Sequence, residues 1–160
     1  MIEHIEVIRK KRATLLEQLN GLTNGQLNQI PEGFNNSIVW NLGHMIAVQQ
    51  GICYKKAALP VMISDQFWDM FRPGSRPQEL ISDEETAHIR HLLLSTLDKL
   101  KTDYRTQIFG NYSPWTARNG IELESIDDAV KFLSFHEELH SGAIMAIKQA
   151  LETLDKGFMI

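Results

Sequence analysis

The tightest constraint on the fold of this chain is a stripe near its C-terminal end: Ile126, Ala129, Leu133, His136, His140, Ala143, Ile147, Ala150 and Leu154. Its positions advance by three and four residues in turn, the repeat of one face of an α-helix. Ser125 is a good N-cap just before it, and Asp127 and Asp128 suit the positive end of a helix. The stripe therefore predicts a helix from Ser125 to about Leu154, with two histidines facing the interior. Two imidazoles buried without partners cost a few kcal/mol each, so they need something to bind. Histidines four apart stand one turn apart on one face, which is the spacing at which both can grip one metal ion.

Three more segments carry helical periodicity. The first runs from about residue 3 to Leu19, with Ile5, Ile8, Leu15 and Leu19 on one stripe and Asn20-Gly21 as its stop. A polar stretch follows, from Thr23 to Asn36. The second helix is expected from Asn36 or Ser37 to about Cys53. It has one stripe through Ile38, Leu42, Met45 and Ile52 and another through Trp40, His44, Ala47 and Gly51, so it is buried on much of its circumference. Tyr54 to Leu80 shows no period and reads as a long loop. Its Phe67, Trp68 and Phe71 argue that it packs over the bundle, as a lid does. Ser82 and Glu85 form a capping box that opens the third helix near Asp83. Asn119-Gly120 between Trp115-Thr116-Ala117 and Ile121-Glu122-Leu123 predicts a small hairpin with a two-residue turn. The expectation is an all-α protein: one domain over 1–160, an up-down four-helix bundle with long crossings at 54–81 and 105–124.

Composition narrows the function classes. The net charge is −4 and the basic residues are scattered, so no nucleic-acid stripe is expected. No apolar run nears the length that spans a bilayer, and the N-terminus carries no signal-peptide pattern. Cys53 is the only cysteine, which excludes an intrachain disulfide and fits a cytoplasmic setting.

His44 shares its stripe with small residues, which leave room for a ligand beside it. With His136 and His140 it makes a candidate three-histidine metal site between two buried helices. His4 sits near the N-terminus, and His88 and His91 share a polar face with Ser95, Asp98 and Thr102; all three are left out. The string His136-Glu137-Glu138-Leu139-His140 also matches the His-Glu-x-x-His signature of zinc metallopeptidases, in which the glutamate activates a water. That reading lacks a third ligand downstream and a confident edge strand for a peptide. Glu137, at the shoulder of the buried stripe, is the candidate catalytic residue, either as a base or as an acceptor for a histidine N–H. Glu138 is expected in solvent. Asn41 is placed either to orient a ligand or to bridge helices.

Ser37-Ile38-Val39-Trp40-Asn41-Leu42-Gly43-His44 and His136-Glu137-Glu138-Leu139-His140-Ser141-Gly142 together resemble the DinB-like superfamily of metal-binding four-helix bundles. The resemblance implies that His44, His136 and His140 bind one divalent ion, often zinc or nickel; three imidazoles also suit iron or manganese. It implies open positions on that ion and chemistry of the kind run by bacillithiol- or mycothiol-dependent S-transferases, with a low-molecular-weight thiol as partner. A homodimer is implied as well. A non-catalytic metal- or ligand-binding module is the alternative.

Overall fold

The computed structural model describes residues 1–157, so the last three residues of the expected domain lie outside the described ones. The long helices are α1 (Ile2–Gln18), α3 (Ile38–Gln49), α5 (Asp83–Arg105) and α6 (Ile126–Gly157). Each forms where the periodic apolar residues predict it. The capping box of Ser82 and Glu85 opens α5 as expected. Ser125 opens α6, its hydroxyl accepting from the Asp128 amide at 3.3 Å.

Two short helices interrupt what reads as loop. The first, α2 (Asn24–Asn28), is started by a capping box between Thr23 and Gln26. The second, α4 (Asp65–Phe71), is N-capped by Ser64. At five and seven residues they are too short for a periodic signal, and only their caps mark them. The second long helix also ends differently: after Gln49 its backbone loosens into a π turn (Gln50–Tyr54) and then tightens into a 3₁₀ turn (Lys55–Ala57). The Gln50 side chain accepts from the Met62 amide at 2.8 Å, so the loosened turn anchors the segment that follows.

α1 and α3 each pack against both α5 and α6, so the four long helices close into a bundle. At one end Leu15 and Leu19 meet Ile38, Leu42, Ile89, Leu92, Ile147 and Leu151. At the other end Ile5 and Ile8 meet Val48, Ile52, Leu97, Leu100, Ala129 and Leu133. These two layers fix the directions: α1 and α6 run one way, α3 and α5 the other. The succession is thus up-down-down-up, which corrects the expected up-down order between α3 and α5. Parallel neighbours need a connection that returns along the bundle, and residues 58–82, with α4 inside them, make that return along α3.

The hairpin forms, with β1 (Trp115–Thr116) antiparallel to β2 (Glu122–Leu123). Its turn is longer by one residue than Asn-Gly predicts. The Gly120 amide donates to the Ala117 carbonyl at 2.9 Å, and the Ala117 amide to the Ile121 carbonyl at 2.8 Å. Gly120 has φ +82°, so Arg118-Asn119-Gly120 is a type I turn closed by a left-handed glycine. No described helix is long and apolar enough to cross a membrane.

Candidate metal centre

The groove between α3 and α6 brings His44, His136 and His140 together. Their ligand atoms all lie within 4.8 Å of one another. Ring centroids are 5.2 Å apart for His44 and His136, 4.6 Å for His44 and His140, and 4.3 Å for His136 and His140. Two nitrogens bound at about 2.1 Å to one tetrahedral ion stand about 3.4 Å apart, so a small contraction suffices.

Hydrogen bonds set two of the rings. His44 Nδ1 is 2.7 Å from the Phe71 carbonyl, and His140 Nδ1 is 2.8 Å from Asn41 Oδ1. A carbonyl oxygen only accepts, so each Nδ1 carries the proton and each Nε2 keeps its lone pair. Asn41 is itself fixed: its Nδ2 donates to Asn36 Oδ1 and to the Ser37 carbonyl, both at 2.8 Å. Asn41 stands on α3 and His140 on α6, so this one bond both orients a histidine and bridges the helices, the two roles expected of Asn41. Trp40 stacks on His44 with centroids 4.8 Å apart and donates its indole N–H to the Met70 carbonyl at 3.2 Å. Phe132 lies over His136 at 6.4 Å. Among the described residues the buried Nδ1 of His136 has no hydrogen-bond partner.

Burial keeps all three rings neutral. It pulls His136 down to about 2, helped by its two histidine neighbours, and His140 down to about 4. His44 is lowered by burial, against the Phe71 hydrogen bond and with the positive charge of Arg118. Three neutral imidazoles with free lone pairs, one with a buried nitrogen lacking a partner, fit a borderline metal ion as a donor set.

The helical face is turned slightly from where the stripe places it. Glu137, expected at the shoulder, is 2% exposed and sits at the centre of the buried face. His136 and His140 take the shoulder position, half-buried and directed at α3 rather than at the bundle axis. Glu137 binds Arg12 through both oxygens, at 2.7 and 3.0 Å. The Arg12 side chain is fully enclosed. It also donates to Gln49 Oε1 and to the Leu93 carbonyl, each at 2.9 Å, and to the Met45 carbonyl at 3.2 Å. Glu137 is outside the histidine cluster. Glu138 is exposed, as expected, and pairs with Lys11. His88 and His91 are exposed, also as expected, and so is His4.

Arg12 and the Phe71 carbonyl escaped the sequence reading. A backbone carbonyl leaves no mark in a sequence. Arg12 does leave one: it occupies the missing position in the stripe Ile5, Ile8, Leu15, Leu19, as Glu137 interrupts Val130, Ile144, Leu151. Opposite charges filling gaps in two apolar stripes are a signal for a buried ion pair.

Of the aromatics in the 54–80 segment, Phe71 reaches the site's flank, with Phe67 behind it. Phe71 is 2% exposed and fits against Gly43, where a Cβ would lie 2.5 Å from its ring. A cavity of about 680 Å³ lies beyond Trp40 and Phe71 and shares those two residues with the site, but no histidine lines it.

A search of curated proteins finds no match to the chain. The family model described as the DinB superfamily matches residues 8–144, a span that takes in α3 with His44 and α6 with His136 and His140. Bundle, hairpin and histidine cluster agree with that match, and the chain belongs to the DinB superfamily.

Proposed function

We propose that this protein is a metal-dependent enzyme acting on a small molecule, with His44, His136 and His140 holding one divalent ion. The observation that carries this reading is the pair of hydrogen bonds from His44 to Phe71 and from His140 to Asn41, which turn both Nε2 lone pairs free. Structural zinc is usually closed by four protein ligands, whereas three leave a position for chemistry. A bound divalent ion there supplies Lewis acidity, lowering the pKa of a thiol or a water. The residues of the chain do the rest: Asn41 and the Phe71 carbonyl hold the rings, Trp40 covers His44, and the half-buried His136 and His140 leave the groove accessible.

Within this class, transfer of a low-molecular-weight thiol onto an electrophile is the reaction the family resemblance favours. The chain supplies no thiol of its own for it. Cys53 is fully buried and pushed up to about 12 by that burial. The commitment of Glu137 to Arg12 supports a structural role for that carboxylate in place of a base, which leaves a peptidase without its water-activating group.

Metal analysis of untagged protein tests the site. Stoichiometric zinc or nickel is expected in the wild type and its loss in His136→Ala. Equal metal in both sinks the proposal. Turnover with small thiols and an electrophile is expected for the metal-loaded protein; a tightly held metal with no turnover on thiol or water makes it a binding module.

A further inference from the structure

Two walls rise on either side of the histidine groove. One is α4 with the residues after it, packed on α3; the other is the β1–β2 hairpin, packed on α6. They meet at Arg118. An Nη of Arg118 lies 3.3 Å from where a Cβ on Gly74 would stand, and Gly74 follows Phe71, whose carbonyl holds His44, by three residues. The turn at the hairpin tip thus delivers a guanidinium to the segment that follows the Phe71 carbonyl, the group that holds His44. Arg118 is exposed, and among the described residues no carboxylate lies within ion-pairing distance of it.

The charge balance of the site gives this arginine a use. Three neutral imidazoles leave both charges of a divalent ion unopposed, and the one nearby buried carboxylate, Glu137, is already neutralised by Arg12. Arg118 adds a further positive charge at the same mouth. A cleft of one sign concentrates ligands of the other. The flat guanidinium fork matches the two oxygens of a carboxylate better than a point charge does.

We propose that Arg118 is a specificity-determining residue, pairing with a carboxylate of the substrate while the metal-seeking end of the same small molecule occupies the histidine site. The proposal rests on the metal-site reading above and names the substrate class: a small carboxylate, a thiol acid being the simplest case.

Cobalt(II)-loaded protein tests it, because the visible spectrum of the ion reports what enters its surroundings. Titrations with 3-mercaptopropionate and with 2-mercaptoethanol compare a charged with a neutral thiol of similar length. The wild type is expected to favour 3-mercaptopropionate by about tenfold relative to the Arg118→Gln variant, the scale of one charge-assisted pair. The 2-mercaptoethanol titrations of the two proteins should coincide, Arg118→Lys should recover part of the preference, and added salt should narrow it. Arg118 sits exposed at a turn, so these variants keep the fold. If Arg118→Gln weakens both thiols alike, or neither, while cobalt stays bound, the role of Arg118 is overturned and the metal site stands. If the wild type takes up no cobalt, the metal site fails and this inference falls with it.

Discussion

Arg12 and Glu137 put opposite full charges at the centre of the bundle, where neither reaches water. Such a pair is weak evidence for stability, because desolvation offsets most of the attraction. Breaking it is another matter, since a lone buried charge remains. Arg12→Met or Glu137→Leu alone is expected to lower unfolding stability by about 3–5 kcal/mol, while the double variant recovers most of that loss. Urea denaturation of the four proteins measures the cycle; simple additivity would contradict the pairing. The metal content of folded Glu137→Gln should match the wild type, since its carboxylate is spent on Arg12 and not on the site. This residue scale is where sequence reading is least complete. The three clustered histidines are legible because histidine in an apolar stripe is costly enough to need a reason. The placement of Glu137 is not, because a rotation of α6 by about half the ~100° between successive residues exchanges shoulder and centre, and periodicity does not resolve a turn that fine.

At the scale of elements, α4 is the piece the sequence hides and the site depends on. Seven residues give no measurable period, yet this helix presents the carbonyl that sets His44 and the carbonyl that anchors Trp40. Its seat on α3 is Gly43, which has no side chain to hold Phe71 away. Gly43→Ala would place a methyl 2.5 Å from the Phe71 ring, inside any allowed contact, so Phe71 and its carbonyl must move. Metal affinity is expected to fall about 10–100-fold, the usual effect of losing a group that orients a ligand. Gly142→Ala serves as the control: it lies on the histidine helix with nothing within 4 Å of its Cβ position, and its affinity should stay at the wild-type value. Competition with a chromogenic chelator reads both. Equal affinities in Gly43→Ala and wild type would mean that the Phe71 contact does not tune His44.

Across the whole molecule, the four helices and their caps follow from sequence because burial and capping act within a turn or two of each residue. The helix directions do not, since they depend on where residues 58–82 run, and that is a matter of packing between distant parts of the chain. The same long-range packing produces the protein's response to acid. Histidines of the unfolded chain titrate near 6.5. In the fold His136 is held down to about 2, His140 to about 4, and His44 below its ordinary value. Below about pH 6.5 the unfolded chain therefore binds protons that the folded chain refuses, and acid favours unfolding. Above that pH neither state is protonated at these rings, and their contribution is fully present. The capping carboxylates Glu85 and Asp128 are lowered from 4.5 and 3.8, so their loss begins only at more acidic pH and leaves the window between 6.5 and 5 to the histidines. Chelator-treated protein is expected to show a level Tm above pH 7 and a falling one from 6.5 to 5, with a shallower fall in His136→Gln. Metal-loaded protein should keep a higher Tm over the same range, because the ion binds the deprotonated rings of the fold. A Tm unchanged from pH 7 to 5 in the chelated wild type would mean that the three rings are not held neutral by burial.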